Sequence, residues 1–598
     1  MIPYSAPVED MRFVLNRLVG LADLASLPGL EEATPDLVDA VLEEAAKLAG
    51  DVIAPLNTVG DRQGSVLENG VVRTPDGFKQ GYDAYRDGGW NAVPFDPAFG
   101  GQGLPWAVAF AVQEMWQAAN LSFGLCPLLN QGAVEAIEAH GTTTQKEVFL
   151  PKLISGEWTG TMNLTEPQAG SDVGAVRTKA VPQGDGTYRI TGQKIYITYG
   201  EHDLADNIIH LVLARLPDAP EGTRGISLFL VPKLLVNDDG SLGTRNDLRC
   251  VSLEHKLGIH ASPTAVMAFG DEEGAIGTLV GQENQGLKCM FTMMNNARLS
   301  VGLQGVAIGE RAYQQARDYA RTRVQSKDLT QPKAPAVPII RHPDVRRMLM
   351  SMRARVEAIR ALAYLAAGDL DRAKRHPDAA VRAAAHARVD LLTPIVKGYG
   401  TDAGVEIASL GVQIHGGMGF IEETGAAQHY RDARITPIYE GTNGIQANDL
   451  VFRKVLRDGG AAARAFIAEM RALDPTLDAG AGDDLAVIRT ALADGIDALE
   501  DATAWLLADG VQDPAVAAAG AAAYLELFGI VSGGWVLARA AGMAVAALAT
   551  RDGDPAFWEA KLITARFFAE QVMPKARSLV APITQGHRST LALDEAAF

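Results

Sequence analysis

Three segments of this chain carry side chains whose types and spacing could do chemistry. The first is LTEPQAGSDVG, residues 164–174, and the second is GQKIYITYG, residues 192–200. Small and hydroxyl-bearing residues after a strand-like stretch can present backbone amides to a flat polar ring or a phosphate. The third segment, residues 415–446, places Glu440 between an aromatic residue and a glycine. A carboxylate at such a bend can face a cavity and act as a base.

Each segment on its own also fits an ordinary structural role. The first can be a polar turn, the second a half-buried strand with alternating isoleucines, and Glu440 a helix-capping or surface carboxylate. Other common chemistry is excluded: the chain has no P-loop, no GxSxG nucleophile elbow, no HExxH and no complete GxGxxG. The histidines and the three widely spaced cysteines form no metal-ligand pattern, so we expect no metal site.

The composition excludes several classes of protein. The chain has 598 residues, 47% hydrophobic and 21% charged, as expected for a globular protein of several domains. Its formal net charge of −18, with no basic run, disfavours nucleic-acid binding. The apolar stretch 513–548 is interrupted by Glu526 and Arg539, which predicts no integral membrane segment. Because the chain shows no secretion signal and no disulfide framework, we expect it in the cytoplasm.

The elements that must position the three segments change type twice along the chain. Helical patterns dominate residues 36–158, with starts at Pro35 and Pro105. Short β-rich segments then follow over 159–275, with no βαβ alternation, which predicts an antiparallel barrel or sandwich. Helical periodicity returns after Gln285, with long helices expected over 287–324, 343–375 and 379–410, and a shorter one over 443–457.

The predicted fold is a multidomain α+β protein. A Gly/Ala/Asp-rich stretch at 472–484 indicates a linker. We expect the Ala-rich helices beyond this linker to pack on the helical bundle. The expected parts are an N-terminal extension (1–35), an N-terminal helical domain (36–158), a β domain (159–280), a C-terminal helical bundle (281–470) and an additional helical module (485–598).

The order of these motifs resembles the acyl-CoA dehydrogenase family of flavoproteins. TEPQAGSDV is followed by KIYITYG, by Arg298 and Arg323 in a long helix, and then by HGGMGF and IYEGTNGIQ. The resemblance covers about residues 40–460. The start of the chain and its C-terminal module further resemble a long bacterial branch of the family, which includes enzymes that act on 3-methylmercaptopropionyl-CoA.

The resemblance implies a site for FAD between the β domain and the helical bundle. The residues that it assigns to the cofactor are Met162, Leu164, Thr165, Ser171, Tyr196, Ile197, Thr198, Arg323, Gln413, Gly416, Gly417, Thr442, Asn443 and Gly444. Arg323 and the loop from Gln413 to Gly417 would reach the FAD of a neighbouring subunit. Tyr196 stands where the family usually has Trp.

The same resemblance implies an acyl-CoA substrate and a catalytic base. Glu440 would remove the α-proton of the thioester, and Tyr439, Gly441, Ser171, Asn295 and Arg298 would contact the substrate. Glu310, on a helix, is the alternative position for the base. Two departures affect the pattern: Asn295 replaces a common Asp, and Ser326 with the Pro-rich insert 330–338 replaces a common Phe.

The implied activity is α,β-dehydrogenation of an acyl-CoA, with electrons passed to an electron-transfer flavoprotein. A homo-oligomer, most simply a dimer, is expected because cofactor contacts come from two subunits. Two alternatives stay open at this point. One is an acyl-CoA oxidase that uses oxygen, and the other is a DNA-associated flavoprotein of the same fold.

Overall fold

The computed structural model describes residues 3–237, 239–478 and 482–598. The chain divides into two compact units, and each unit is assembled from separate stretches of sequence. The first contains the chain up to Ala6 together with Val41–Pro105 and Met115–Ser300. The second contains Pro7–Ala40, Trp106–Glu114 and Val301–Phe598.

Two of the helices that precede the sheet begin at residues whose side chains cap them. The Asn120 side chain accepts a hydrogen bond from the Phe123 amide, and Thr142 forms a capping box with Gln145. The expected starts at Pro35 and after Pro105 are confirmed. These helices are α1 (Val8–Phe13), α2 (Leu21–Ala25), α3 (Pro35–Lys47), α4 (Leu56–Gln63), α5 (Phe78–Asp87), α6 (Trp106–Ala119), α7 (Leu121–His140) and α8 (Thr143–Ser155).

The strands of the first unit form two small hairpins and one eight-stranded sheet. The hairpin of β1 with β2 lies in a region that the sequence predicted as mainly helical, and that prediction was wrong there. The strands are β1 (Val66–Glu68), β2 (Val71–Arg73), β3 (Trp158–Asn163), β4 (Lys179–Pro182), β5 (Thr187–Thr198), β6 (Asn207–Arg215), β7 (Ile226–Pro232), β8 (Leu234–Val236), β9 (Leu242–Arg245), β10 (Leu248–Leu253), β11 (Thr264–Phe269) and β12 (Ala275–Val280).

The large sheet is mostly, but not wholly, antiparallel. Its order is β10-β11-β5-β12-β7-β6-β3, with β4 beside β5 and β6. β3 pairs with β6 in parallel, from Trp158 opposite Asn207 to Asn163 opposite Val212, and β4 meets β6 in parallel at one position. The purely antiparallel prediction was therefore wrong for these pairs. The chain makes β4 and β5 between β3 and β6, which gives it the length to return in the same direction.

The second unit is built from long helices. Helices predicted over 287–324 and 343–375 are present within two residues, while the one predicted to end at 410 continues to His415. The elements are α9 (Gly286–Thr322), β13 (Val324–Lys327), β14 (Ala336–Pro338), α10 (Pro343–Arg375), α11 (Ala379–His415), α12 (Ala426–Ala433), α13 (Asn443–Asn448), α14 (Ala461–Arg471), α15 (Asp474–Asp478), α16 (Asp483–Ala508), α17 (Pro514–Thr550), α18 (Pro555–Gln571), α19 (Pro574–Gln585) and α20 (His587–Thr590).

Two further expectations about this part need correction. The stretch predicted as a linker, 472–484, contains α15 and the start of α16, while residues 479–481 lie outside the described residues. The short helix expected over 443–457 consists of α13 followed by a wider, π-type turn over Asp449–Leu456.

Glycines let the helices of the second unit approach closely. A Cβ atom at Gly305 of α9 would lie 2.1 Å from the carbonyl oxygen of Gly400 in α11. A Cβ atom at Gly529 of α17 would lie 2.3 Å from the ring of Tyr399 in α11. The additional module therefore packs directly on the helical bundle, as the sequence predicted.

A buried group of charges joins distant parts of the second unit; we call it the Arg360 cluster. The Arg360 side chain, 1% exposed, donates to Glu114 at 2.6 Å, to Glu310 at 2.8 Å and to Asp10 at 2.6 Å. Lys561 of α18 pairs with Asp10 and with Glu357, the latter at 2.8 Å. Its members are Asp10, Glu114, Glu310, Glu357, Arg360 and Lys561.

Helix α17 is the one helix in the described part of the chain that is long and apolar enough to cross a membrane. It has 37 residues, and 61% of its most apolar stretch of 18 residues is buried inside the protein. Its Phe528 ring stacks on Phe466, and its Trp535 ring meets the same Phe466 edge-on. The core helix of a globular protein satisfies the same criterion of length and composition.

Candidate active site

The first two segments from the sequence lie side by side in the first unit. β3 ends at Asn163, and the chain continues through Leu164 and Thr165, which are half-buried. The Ile195 amide in β5 donates to the Thr165 carbonyl at 2.9 Å. The Thr161 hydroxyl donates to the Thr198 carbonyl at 2.7 Å. The structure therefore brings the two segments together through direct hydrogen bonds.

Two charged residues that the sequence analysis missed connect these segments. Lys194 is fully buried and donates from Nζ to the Leu164 carbonyl at 3.0 Å and to Glu166 at 2.8 Å. Burial opposes the ionisation of Glu166, but the charge of Lys194 outweighs it, together with hydrogen bonds from Thr178 and Arg177, and lowers the pKa of Glu166 to about 2. Burial lowers the pKa of Lys194 to about 8. The pair is ionised at neutral pH.

Tyr196 lies on the surface because β5 carries a bulge at this point. Two residues, Ile195 and Tyr196, oppose the single Val266 of β11, and Tyr196 has φ of +60°. The Tyr196 side chain is 60% exposed, while Ile197 is buried. An exposed aromatic ring beside a buried isoleucine and a half-buried Thr198 suits a flat heterocycle.

The other predicted residues of the first unit are distributed between surface and interior. Met162 is buried in β3, and Ser171 lies exposed in the loop that follows it. Arg298 is buried in α9, whereas Asn295 is exposed on the same helix. Hydroxyl, amide and guanidinium groups can each donate to a phosphate-bearing ligand.

The sequence analysis expected Arg323 in the long helix, but Arg323 lies just beyond the end of that helix. α9 ends at Thr322, and the exposed Arg323 begins the hairpin of β13 and β14. The Arg323 carbonyl accepts the Ile339 amide at 2.8 Å, which ties the two ends of this hairpin together. The Pro-rich insert 330–338 is therefore the tip and second strand of a β-hairpin whose first residue is the predicted FAD arginine.

The glycine loop at the end of α11 is open to the surface. Gln413, Gly416 and Gly417 are exposed, and a Cβ atom at either glycine would have no neighbour within 4 Å. Gly416 has φ of +59°, which breaks the helix and turns the backbone outward. A backbone without side chains can approach a ligand or another chain closely here.

Glu440 lies at a strained turn of the second unit. Its φ is +56° and that of Gly441 is +82°, so two successive residues are left-handed. A non-glycine residue in this region costs about 1–3 kcal/mol and is a feature of functional sites. The Gln446 side chain donates to the carbonyls of Glu440 and Gly441, both at 3.2 Å. Glu440 is thus half-buried, and the Gln446 side chain holds the backbone that carries its carboxylate.

Its neighbour Tyr439 is also fixed. The Tyr439 hydroxyl donates to the side-chain oxygen of Gln304 in α9. Burial and the nearby Glu440 carboxylate raise the pKa of Tyr439, so its ring remains neutral beside the carboxylate. The sequence analysis assigned no role to Gln304 or Gln446. Gln304 belongs to no motif, and Gln446, the last residue of IYEGTNGIQ, acts on the backbone five and six residues before it.

Thr442, Asn443 and Gly444 begin α13. The Thr442 hydroxyl caps this helix by accepting the Ile445 amide at 3.3 Å, and Gly444 is exposed. The Asn443 side chain accepts from Lys397 at 2.8 Å and donates to Asp402 at 2.7 Å. The Asn443 amide is engaged within the bundle, so any contact that it makes with a cofactor would come from its backbone.

Glu310, the alternative base, lies in the Arg360 cluster. Its carboxylate accepts from Arg360 at 2.8 Å and from Gln314 at 2.9 Å, and it is buried. Because both of its oxygens are engaged in this buried network, the Glu310 carboxylate is not free to approach the α-carbon of a substrate. The geometry favours Glu440 over Glu310.

Family models cover nearly the whole chain. They are described as the N-terminal domain of acyl-CoA dehydrogenase for residues 38–157, its middle domain for 161–271 and its C-terminal domain for 284–454. A fourth model, acetyl-CoA dehydrogenase C-terminal like, matches residues 461–594.

Curated relatives match over the full length. The 3-methylmercaptopropionyl-CoA dehydrogenase of Ruegeria pomeroyi is 52% identical over 98% of this chain and 99% of its own. The chain belongs to the acyl-CoA dehydrogenase family. The broad-specificity linear acyl-CoA dehydrogenase FadE5 of Mycobacterium tuberculosis is 37% identical over the whole of both chains. Among solved structures, Caenorhabditis elegans ACDH-11 in complex with C11-CoA has a TM-score of 0.76 at 21% identity and covers 96% of this chain and 92% of its own.

Membership of this family defines the chemistry. Acyl-CoA dehydrogenases are flavoproteins that use FAD to oxidise a CH–CH bond of an acyl-CoA thioester, and this chain is an oxidoreductase of that class. A Bacillus anthracis acyl-CoA dehydrogenase complexed with FAD shares the fold, with a TM-score of 0.72 at 20% identity over 95% of this chain and 92% of its own.

Proposed function

We propose that this enzyme converts 3-methylmercaptopropionyl-CoA, or a linear fatty acyl-CoA, to the trans-2-enoyl-CoA with Glu440 as the catalytic base. The observation that carries the proposal is the strained Tyr439-Glu440-Gly441 turn, in which a carboxylate is held on a fixed backbone. The substrate class is supported by the Ruegeria relative, whose name gives 3-methylmercaptopropionyl-CoA, and by FadE5, whose name gives linear acyl-CoAs.

Glu440 removes one proton from the α-carbon of the thioester. It acts as a carboxylate and becomes neutral on taking the proton. The chemistry that FAD would supply when bound is a hydride acceptor for the β-hydrogen. The neutral Tyr439 and Gly441 line the base on either side and keep its position fixed. Dry surroundings strengthen every charge interaction in such a site, which favours the developing enolate.

The cofactor and the CoA moiety would be held by the residues that the sequence singled out. We assign FAD to Met162, Leu164, Thr165, Ser171, Tyr196, Ile197, Thr198, Arg323, Gln413, Gly416, Gly417, Thr442, Asn443 and Gly444. The two segments of the first unit fit a flavin because they join half-buried hydroxyls to an exposed ring. Arg298, Asn295 and Ser171 would hold the phosphates and amides of CoA.

The enzyme passes electrons to an electron-transfer flavoprotein and works in the cytoplasm. An acceptor of this kind is the usual partner of the family, and the cysteines of the described residues are all free, which fits a reducing compartment. Rapid mixing of the reduced enzyme with air separates this proposal from an oxidase. Oxygen would reoxidise the flavin of an oxidase at once, whereas the flavin of a dehydrogenase would stay reduced until its protein acceptor is added.

The enzyme acts as a homodimer. The turn next to the glycine loop exposes Met418, Phe420 and Ile421, with Phe420 85% exposed. Such a cluster of exposed apolar side chains is typical of a protein interface. Light scattering should show a dimer for the native chain and a shift toward monomer for Phe420→Asp, while a native monomer with full activity would contradict the proposal.

The decisive test is Glu440→Gln, with Glu423→Gln as the matched control. Gln keeps the shape and the carbonyl oxygen but cannot accept the proton, so the variant should bind FAD and acyl-CoA normally. Its flavin should bleach at least 10²–10⁴-fold more slowly on anaerobic addition of substrate. Glu423 is an exposed carboxylate of the same region, and its variant should react at the native rate.

Substrates for this assay are acyl-CoAs from C4 to C16 and 3-methylmercaptopropionyl-CoA with a dye acceptor. A Glu440→Gln flavin that is reduced within tenfold of the native rate would show that another residue is the base.

A further inference from the structure

We propose that the Glu166–Lys194 ion pair is a positioning device for FAD: it holds the two cofactor segments of the first unit in register without touching the cofactor itself. The inference rests on the proposed assignment of residues 162–165 and 196–198 to FAD. It concerns Glu166 of the motif TEPQAGSDV and Lys194 of the motif KIYITYG, two residues to which the family resemblance assigned no role.

Lys194 fixes the first segment to the second. Its ammonium group donates to the Leu164 carbonyl at 3.0 Å, and the next residue along β5, Ile195, donates its amide to the Thr165 carbonyl at 2.9 Å. The carbonyls of two successive residues therefore point toward β5. This sets the peptide planes of the segment and so the direction in which its other groups face.

Glu166 fixes the loop that carries Ser171. Its carboxylate accepts from the Arg177 amide at 2.7 Å, from the Thr178 amide at 3.0 Å and from the Thr178 hydroxyl at 2.6 Å. The Gln168 side chain donates to the same carboxylate at 2.6 Å. Both ends of the loop from 166 to 178 are thus held at one carboxylate.

These bonds leave Glu166 with no capacity for a ligand. Two carboxylate oxygens offer about four lone-pair sites. Glu166 already accepts five hydrogen bonds, counting the one from Lys194. Because both partners are buried and fully engaged with protein groups, their effect on the cofactor must pass through the segments that they hold.

Removing one partner should be worse than removing both. A single loss leaves an uncompensated buried charge, whereas a double loss leaves none. Glu166→Gln and Lys194→Met should each raise the Kd of the apoprotein for FAD by at least tenfold. The double variant should therefore have a lower Kd for FAD than either single variant.

The matched control is Asp247→Asn, in the same unit. Asp247 also accepts three backbone amides, those of Glu272, Glu273 and Gly274, but it organises a different loop. This control should lower the melting temperature while leaving the Kd for FAD within twofold of native. The milder Thr178→Val removes one hydrogen bond to Glu166, keeps the side-chain shape, and should raise the Kd about two- to tenfold.

The measurements are FAD titration of each apoprotein by flavin fluorescence and the visible spectrum of the bound flavin. Variants of the pair should show weaker binding and a shifted spectrum at temperatures well below their melting points. Native Kd and spectrum in Glu166→Gln, Lys194→Met and Thr178→Val would overturn the proposal, even with lowered melting temperatures. If Thr165→Val and Thr198→Val also leave the Kd unchanged, the cofactor assignment itself fails instead.

Discussion

Replacing Arg360 by Met tests the buried ion pairs of the Arg360 cluster. The guanidinium pairs with three carboxylates, and its contact with Glu114 is bidentate: Nε donates to Oε2 at 3.1 Å and Nη2 donates to Oε1 at 2.6 Å. Burial opposes the ionisation of Asp10, but Lys561 and Arg360 outweigh it and lower the pKa of Asp10 to about 2. Burial raises the pKa of Glu114 above its ordinary value, despite the attraction of Arg360.

The expected loss follows from the burial of the partners. Met fills similar space without charge, so Arg360→Met leaves Glu114 and Glu310 buried and uncompensated, while Asp10 keeps Lys561. Breaking a buried pair in this way costs about 3–5 kcal/mol. The exposed pair of Arg347 with Asp344 provides the control, because exposed pairs contribute about 0–1 kcal/mol.

The assay is urea denaturation of the FAD-loaded enzyme, followed by tryptophan fluorescence. Arg360→Met should shift the midpoint strongly to lower urea, Arg347→Met should leave it near native, and Arg360→Met/Glu114→Gln should regain part of the loss. A loss below about 1 kcal/mol for Arg360→Met would refute the reasoning, because the cluster would then act like a surface pair.

Two further predictions concern single positions of the same unit. Burial raises the pKa of Asp371 to about 7 from 3.8, although it caps α6 by accepting the amides of Trp106 and Ala107. A raised carboxyl pKa gives stability that is complete below pH 3.8 and lost as the pH rises to about 7, so Asp371→Asn should flatten the fall in denaturation midpoint between about pH 4 and 7. Gly305→Ala would place a methyl group against the Gly400 carbonyl and should cost about 1–3 kcal/mol, whereas Gly170→Ala, with open space around it, should leave the melting temperature within a degree or two of native.

Local sequence patterns predicted most of the secondary structure correctly. The starts of α3 and α6 follow from proline and capping chemistry, and α10 follows from the spacing of its apolar residues. The hairpin β1–β2 was missed because each strand has three residues, too few to show a period. The parallel pairing of β3 with β6 was missed because strand direction depends on partners that are distant in sequence.

Some residues of the candidate site could likewise be predicted from local sequence, and others could not. Glu440 and the two cofactor segments could be recognised because their residues are contiguous. Lys194 and Glu166 could not, since their importance arises from contacts 28 residues apart, and a lysine in a strand usually faces solvent. Arg323 was predicted inside α9, but α9 ends one residue before it. The helical pattern of the sequence continues into a hairpin whose second strand belongs to the Pro-rich insert.

The Arg360 cluster also makes the two ends of the chain depend on each other during synthesis. Asp10 and Lys561 are 551 residues apart, and at about 5–20 residues per second a ribosome needs roughly 30–110 s to make the second after the first. Until then Asp10 and Glu357 lack the buried ammonium group that pairs with both of them in the finished protein. Only a chain that has been made to its last helices can therefore complete this part of the cluster.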